Sequence, residues 1–262
     1  MIPKVINYCW FGGNDKSDVI KKCIESWSKY CPGWEIKEWN ETNFDINMFP
    51  YAKEAYADEK WAFVSDVARL WVLKNYGGIY LDTDVELLTD NPFEKYLDYD
   101  NVFAFESSRR INTGLFMASI PKTEICSVLL KSYENRVYDV KKKNVNSQID
   151  YPVFKKELHD LKWNAQTQKI RECYIIGCEE YGKIMKHHST HTWCDNLPER
   201  KKTKPNKIKK IFRNPRIFEV IEHNNTLKKF LNIYEFLVYD LLDLGPMYFL
   251  KRQLLKIRAK KK

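Results

Sequence analysis

The chain has 262 residues, 44 of them Lys or Arg against 35 Asp or Glu, for a formal net charge of +9. That length is enough to bury a substantial core, and α/β domains of this size often fold as one unit. No run approaches the roughly 18 uncharged apolar residues of a membrane-spanning helix, and no internal repeat or long Gly/Ser linker is visible, which excludes integral membrane and repeat architectures.

In chain order, an apolar run predicts a strand over residues 3–10, ending in Trp10 ahead of Gly12-Gly13. A helical pattern over 17–30, a strand over 35–39 and a helix over 51–57 follow. The next helix covers 60–76, with Trp61, Val64, Val67, Ala68, Leu70, Trp71 and Leu73 recurring at helical spacing. Asp66 and Arg69 break that apolar pattern. Three residues apart, they share one helical face and can point at the same object. Gly77-Gly78 is a helix stop, and Ile79-Tyr80-Leu81 predicts a strand over 79–82. Asp82 and Asp84 are separated by one residue, so in an extended chain both carboxylates project from one face. Two hard oxygens side by side suit Mg²⁺ or Mn²⁺, ions that complete their shell with phosphates and water. Alone, the Asp-x-Asp spacing is far more often that of a solvated strand end. The surrounding run turns the balance toward a cation that carries a nucleotide diphosphate. Further strands over 102–106 and 113–119 and a helix over 122–138 complete an alternation that predicts α/β layering.

Three separated segments carry a family resemblance. Ser65-Asp66-x-x-Arg69-x-x-x-Leu73 with Tyr76-Gly77-Gly78-Ile79-Tyr80-Leu81-Asp82-x-Asp84 resembles the sugar-binding Asp-x-Asp region of glycosyltransferase family 32. That family includes bacterial capsule and lipopolysaccharide transferases, and the clostridial glucosylating toxins carry a similar core. The opening run 2–13 is similar to the first strand of these enzymes, with Asn7 where many relatives have histidine. Tyr181 to Trp193 is similar to the family's His-His-x-x-x-x-Trp segment, although Thr190-His191-Thr192 stands where relatives often have Ala-Gly-Ser.

The resemblance implies a GT-A fold, a single Rossmann-like nucleotide-sugar-binding domain over 1–198, with a helical, basic extension over 199–262. It implies that Trp10 stacks on the nucleotide base and that Tyr80 supports the nucleotide. It implies that Asp66 bonds ribose or sugar hydroxyls and that Arg69 contacts the donor sugar or diphosphate. Asp82 would reach ribose and metal-bound water, and Asp84 the metal. One imidazole would complete the metal shell, with His188 chosen, His187 second and His191 left open. Asn112, in Asn112-Thr113-Gly114, resembles the asparagine that faces the donor sugar, and equally needs no more explanation than a turn. The implied reaction is hexosyl transfer, with retention of configuration, from a nucleotide-diphosphate sugar to a glycan or lipid-linked oligosaccharide acceptor. A UDP-sugar is preferred as donor, GDP-mannose is compatible, and Mn²⁺ or Mg²⁺ is the cofactor.

The positive charge belongs to the carboxy-terminal third. Residues 200–213 hold eight Lys or Arg and 251–262 hold seven, with no acid in either; without these fifteen, 29 basic residues face 35 acidic ones, a net −6. The mixture of apolar and cationic residues over 247–262 predicts an interfacial helix on anionic lipid. No specific nucleic-acid partner is expected, because no recognised motif organises the charge. Seven cysteines without a Cys-x-x-Cys pair, and a first strand with no leader before it, predict a cytoplasmic protein held peripherally at the membrane. The alternatives are a metal-dependent phosphohydrolase and a non-catalytic carbohydrate- or nucleic-acid-binding protein.

Overall fold

The amino-terminal strand β1 (Val5–Cys9) pairs in parallel with β2 (Glu35–Trp39) on one side and β3 (Gly78–Tyr80) on the other. The computed structural model describes residues 1–107, 110–138 and 146–190, all within one compact unit. Beyond β3 the sheet continues through β7 (Met117–Ser119), β5 (Asn101–Ser107), β9 (Cys173–Ile176) and β8 (Gln168–Ile170), with β6 (Arg110–Ile111) paired to β5. β7 and β8 run antiparallel to their neighbours. β1, β2, β3, β5 and β9 therefore share one direction, and their carboxyl ends lie along one edge. That edge is where open α/β sheets take ligands.

Strand alternation makes two cores. Ile6, Tyr8, Ile79, Leu81, Val102 and Ala104 fall on one face with Trp27 of α1 (Asp18–Tyr30). Tyr80, Phe103 and Phe105 fall on the other, beneath α2 (Pro50–Ala57), α3 (Trp61–Tyr76) and α4 (Glu124–Glu134). The predicted α/β layering is therefore present. α3 is buried along most of its length, from Phe63 through Leu73 apart from Trp71, because it is apolar on nearly every side. Gly77 ends it by donating its N–H to Leu73 O at 3.0 Å. At Gly78 the φ of +94° and backbone contact leave no room for a side chain: a Cβ would lie 2.8 Å from Val5 O.

Asn7 has a structural task. It is 1% exposed, donates through Nδ2 to Gly77 O and Ile79 O at 3.2 and 3.3 Å, and accepts from Trp39 Nε1 at 2.9 Å. It thus ties three strands at the helix stop. Asn7→Ala should cost about 3 kcal/mol in urea unfolding, because it leaves a buried indole N–H without its acceptor. A loss below about 1 kcal/mol would mean that water replaces these bonds.

Several predicted bounds move. The 113–119 run is split by a turn at 112–115, closed by Leu115 N–H to Asn112 O at 3.2 Å, so only Met117–Ser119 is strand. The helix expected over 122–138 starts after Thr123, because Lys122 has a φ of +65°. Not anticipated were α5 (Asn146–Glu157), α6 (Cys178–Ile184), and a small antiparallel pair of β4 (Val85–Leu87) with β10 (Met185–His187). α1 anchors that pair: Trp27 Nε1 donates to Val85 O at 2.7 Å and Ser26 Oγ accepts from Leu87 N at 2.9 Å. No helix among the described residues is long and apolar enough to cross a membrane. The extension over 199–262, including the 247–262 segment, lies outside the described residues.

Candidate functional site

Asp66 and Arg69 stand one turn apart on α3 and form a pair at 2.8 Å between Asp66 Oδ1 and Arg69 Nη2. They are 7% and 3% exposed, so this is a buried pair and not a surface one. Arg69 Nε also donates to Ser65 O at 3.0 Å, and its guanidinium lies 4.9 Å over the Tyr80 ring. Nη2 approaches Asp82 Oδ1 at 3.5 Å, and Tyr80 OH donates to the same oxygen at 3.0 Å. Nη1 is buried and has no partner among the described residues. It lies beside Gly114, where a Cβ would stand 2.6 Å from Nη1 and 2.2 Å from Asp82 Oδ2. Only a residue without a side chain lets Asp82 and Arg69 pack this closely against the turn.

Asp82 and Asp84 are not on an extended strand, as the one-residue spacing suggested. They lie in a turn between β3 and β4, closed by Val85 N–H to Asp82 O at 3.0 Å. The convergence of the two carboxylates comes from the turn. Pairing of β10 with β4 sets His187 opposite Val85, and His187 Nε2 lies 3.1 Å from Asp84 Oδ1. Asp84 Oδ2 accepts from Thr190 N and Oγ1, both at 2.9 Å.

His187, rather than His188, therefore joins the aspartates. Adjacent strand residues face opposite ways, and His188 meets Glu86 instead, with Nε2 2.8 Å from Glu86 Oε2. His191 and Trp193 lie outside the described residues. Asp82, Asp84 and His187 each bring one ligand atom to within 4.8 Å of the others. Two carboxylates and an imidazole on one point fit a divalent cation such as Mn²⁺.

The electrostatics agree with that donor set. Burial pushes Asp84 up, but hydrogen bonds from His187 and Thr190 outweigh it and hold the carboxyl at about 2. Burial alone would lower His187, and Asp84 reverses the sign and raises it. Asp82 is raised, by burial first, against the pull of Arg69. Asp66 is pushed up to about 8 by burial, which Arg69 opposes while Asp150 and Asp82 add to it. Asp82, Tyr80 and Asp66 keep Arg69 protonated in spite of its burial. Acidic side chains outnumber basic ones around this guanidinium.

Asn112 acts in its turn: Oδ1 accepts from Gly114 N at 2.9 Å and from Asn146 Nδ2 at 3.2 Å. Trp10 follows β1, the neighbour of β3, at the carboxyl-end edge of the sheet. Its Nε1 donates to Asn14 O at 2.8 Å, and Lys16 Nζ lies 5.1 Å from the ring centroid. Sequence reasoning missed Thr190 and Glu106, whose Oε1 is 3.8 Å from His187 Nδ1. Neither carries a local signal: Thr190 reaches Asp84, and Glu106 of β5 reaches His187, only across segments distant in sequence.

Residues 17–108 match a family model described as "Glycosyltransferase sugar-binding region containing DXD motif", and that span includes Asp66, Arg69, Tyr80, Asp82 and Asp84. Among solved structures, the chain is similar to one described as "PaToxG Glycosyltransferase", with 19% identity, 60% of this chain and 70% of that chain covered, and a TM-score of 0.47. It is also similar to "crystal structure of a glycosyltransferase involved in the glycosylation of the major capsid of PBCV-1", with 11% identity, coverage of 72% and 95%, and a TM-score of 0.39. No curated protein matches it.

Proposed function

From the match of residues 17–108 to a model of the DXD-containing sugar-binding region, we propose that the chain is a metal-dependent, retaining hexosyltransferase of GT-A type acting on a nucleotide-diphosphate sugar. The observation that carries this reading is the Asp82, Asp84 and His187 cluster beside Arg69, whose buried Nη1 awaits a partner. When bound, Mn²⁺ or Mg²⁺ supplies charge neutralisation to a leaving diphosphate. Arg69, charged and fixed by Asp66, Asp82 and Ser65, adds stabilisation that needs no reorganisation during reaction. Asp66 holds sugar or ribose hydroxyls, and Trp10 offers a ring face to the base. Attack by the acceptor on the face from which the diphosphate leaves accounts for retention. A growing capsule, O-antigen or lipooligosaccharide chain suits this chemistry as acceptor. The cationic and apolar composition of 247–262 supports attachment to an anionic membrane surface.

Thermal unfolding of the full chain with UDP-sugars and Mn²⁺ tests the proposal. Ligand at about 100 times its dissociation constant should stabilise the protein by about 2.7 kcal/mol, a rise of roughly 5–10 °C. His187→Ala should weaken Mn²⁺ binding at least about tenfold, and His188→Ala should leave it near wild type. Equal losses in both variants, or no shift with any nucleotide sugar, would count against the site.

A further inference from the structure

Asp150 and Asn146 stand four residues apart on α5, on one helical face, and both reach the 112–114 turn. Asp150 is 1% exposed; its Oδ2 accepts from Thr113 Oγ1 at 2.6 Å and its Oδ1 from Tyr133 OH at 3.3 Å. Asn146 Nδ2 donates to Asn112 Oδ1 at 3.2 Å and to Thr113 Oγ1 at 3.3 Å. The turn so gripped is the one that borders the site: Gly114 O accepts from Asp82 N at 2.9 Å, and Gly114 packs against Asp82 and Arg69 without room for a methyl group. A carboxyl buried beside Tyr133 costs free energy that an apolar residue of its size would not. Burial pushes Asp150 up to about 6, against the bonds from Thr113 and Tyr133 and the charge of Arg69. Packing alone does not explain an acid here.

We propose that Asp150 is a positioning residue for the donor site: through Thr113 it fixes the 112–114 turn, and through that turn the placement of Asp82 beside Arg69. The proposal rests on the transferase reading for what the site does, but the clamp itself is a property of the chain without ligand.

The experiment compares Asp150→Ala, Thr113→Val and Asp150→Asn in the full chain by amide hydrogen exchange without ligand. The first two should speed exchange at 112–115 and at Asp82 by about tenfold and leave α1 unchanged. Asp150→Asn keeps an oxygen for Thr113 and should restore most of the protection. The second readout is Mn²⁺-dependent hydrolysis of UDP-glucose. There kcat should fall roughly 10–100-fold in Asp150→Ala and Thr113→Val with KM within about threefold, and the double variant should be no worse than either single one. Faster exchange spread evenly over the protein, or none at the turn, overturns the proposal. If the wild type turns over no nucleotide sugar, the transferase reading loses its support, and exchange at the turn still decides the clamp.

Discussion

Asp84→Asn is expected to lower sugar transfer by about 10³-fold or more while the protein stays folded. An oxyanion-stabilising group is typically worth a factor of 10²–10³, and here the residue lost is a direct candidate ligand of the cation. Its two oxygens are already divided: Oδ2 takes both bonds from Thr190, and Oδ1 faces His187. An amide must turn its NH₂ either toward the Thr190 N–H, donor against donor, or toward the cation. The first choice loses the bond from Thr190 N–H, the second sets a donor where the cation would bind, and both remove the negative charge. Calorimetric Mn²⁺ binding and a transfer assay check the result, and full activity in this variant and in Asp82→Asn would remove the metal-site assignment.

The same substitution has a signature in acid that does not depend on metal. Asp84 sits at about 2 in the folded protein, against an ordinary 3.8. A depressed carboxyl contributes stability that is present above about pH 4 and is lost as pH falls toward 2. For this shift the contribution is about 2 kcal/mol. Metal-free wild type should lose that amount between pH 4 and 2 in urea titrations, and Asp84→Asn should not show this component.

What could be read from sequence was what local spacing determines. The Asp66 and Arg69 face, the glycine stop and the two aspartates follow from separations of a few residues, and the structure has them together. The histidine did not follow, because the choice between His187 and His188 is the register of β10 on β4, two segments about 100 residues apart. A slip of one residue would exchange them. α5 was missed for a different reason: Pro152 interrupts it and its apolar residues form only a weak stripe, since one of its buried contacts is the acid Asp150. Asn7 was noted as replacing a histidine, and its bonds to Gly77, Ile79 and Trp39 show a framework role that no spacing encodes.

Arg69→Met should be the most destabilising single change at the site, by about 3–5 kcal/mol at pH 8, with transfer lost. The variant leaves Asp66 and Asp82 around an apolar side chain, and Asp66 has no water to turn to. The variant's stability should depend on pH, and the sign follows from Asp66. In the wild type burial already raises this carboxyl to about 8, and without Arg69 the counteracting attraction is gone, so it rises further. A group bound to its proton more tightly when folded costs stability as pH climbs above its unfolded value of 3.8. The variant should therefore lose stability from pH 4 toward pH 8; the wild type carries the same cost up to about pH 8, and the two diverge above it, where Asp66 ionises beside Arg69 only in the wild type. Adding Asp66→Asn removes the charge that Arg69 was balancing. The double variant should recover most of the stability at pH 8, lose most of this pH dependence, and remain inactive, because it lacks both the cation proposed to meet the diphosphate and the acid proposed to hold a hydroxyl. Urea unfolding at pH 5 and pH 8 separates these terms. A single variant as stable at pH 8 as at pH 5 would mean that Asp66 is solvated in solution and that the pair serves the ligand without supporting the fold.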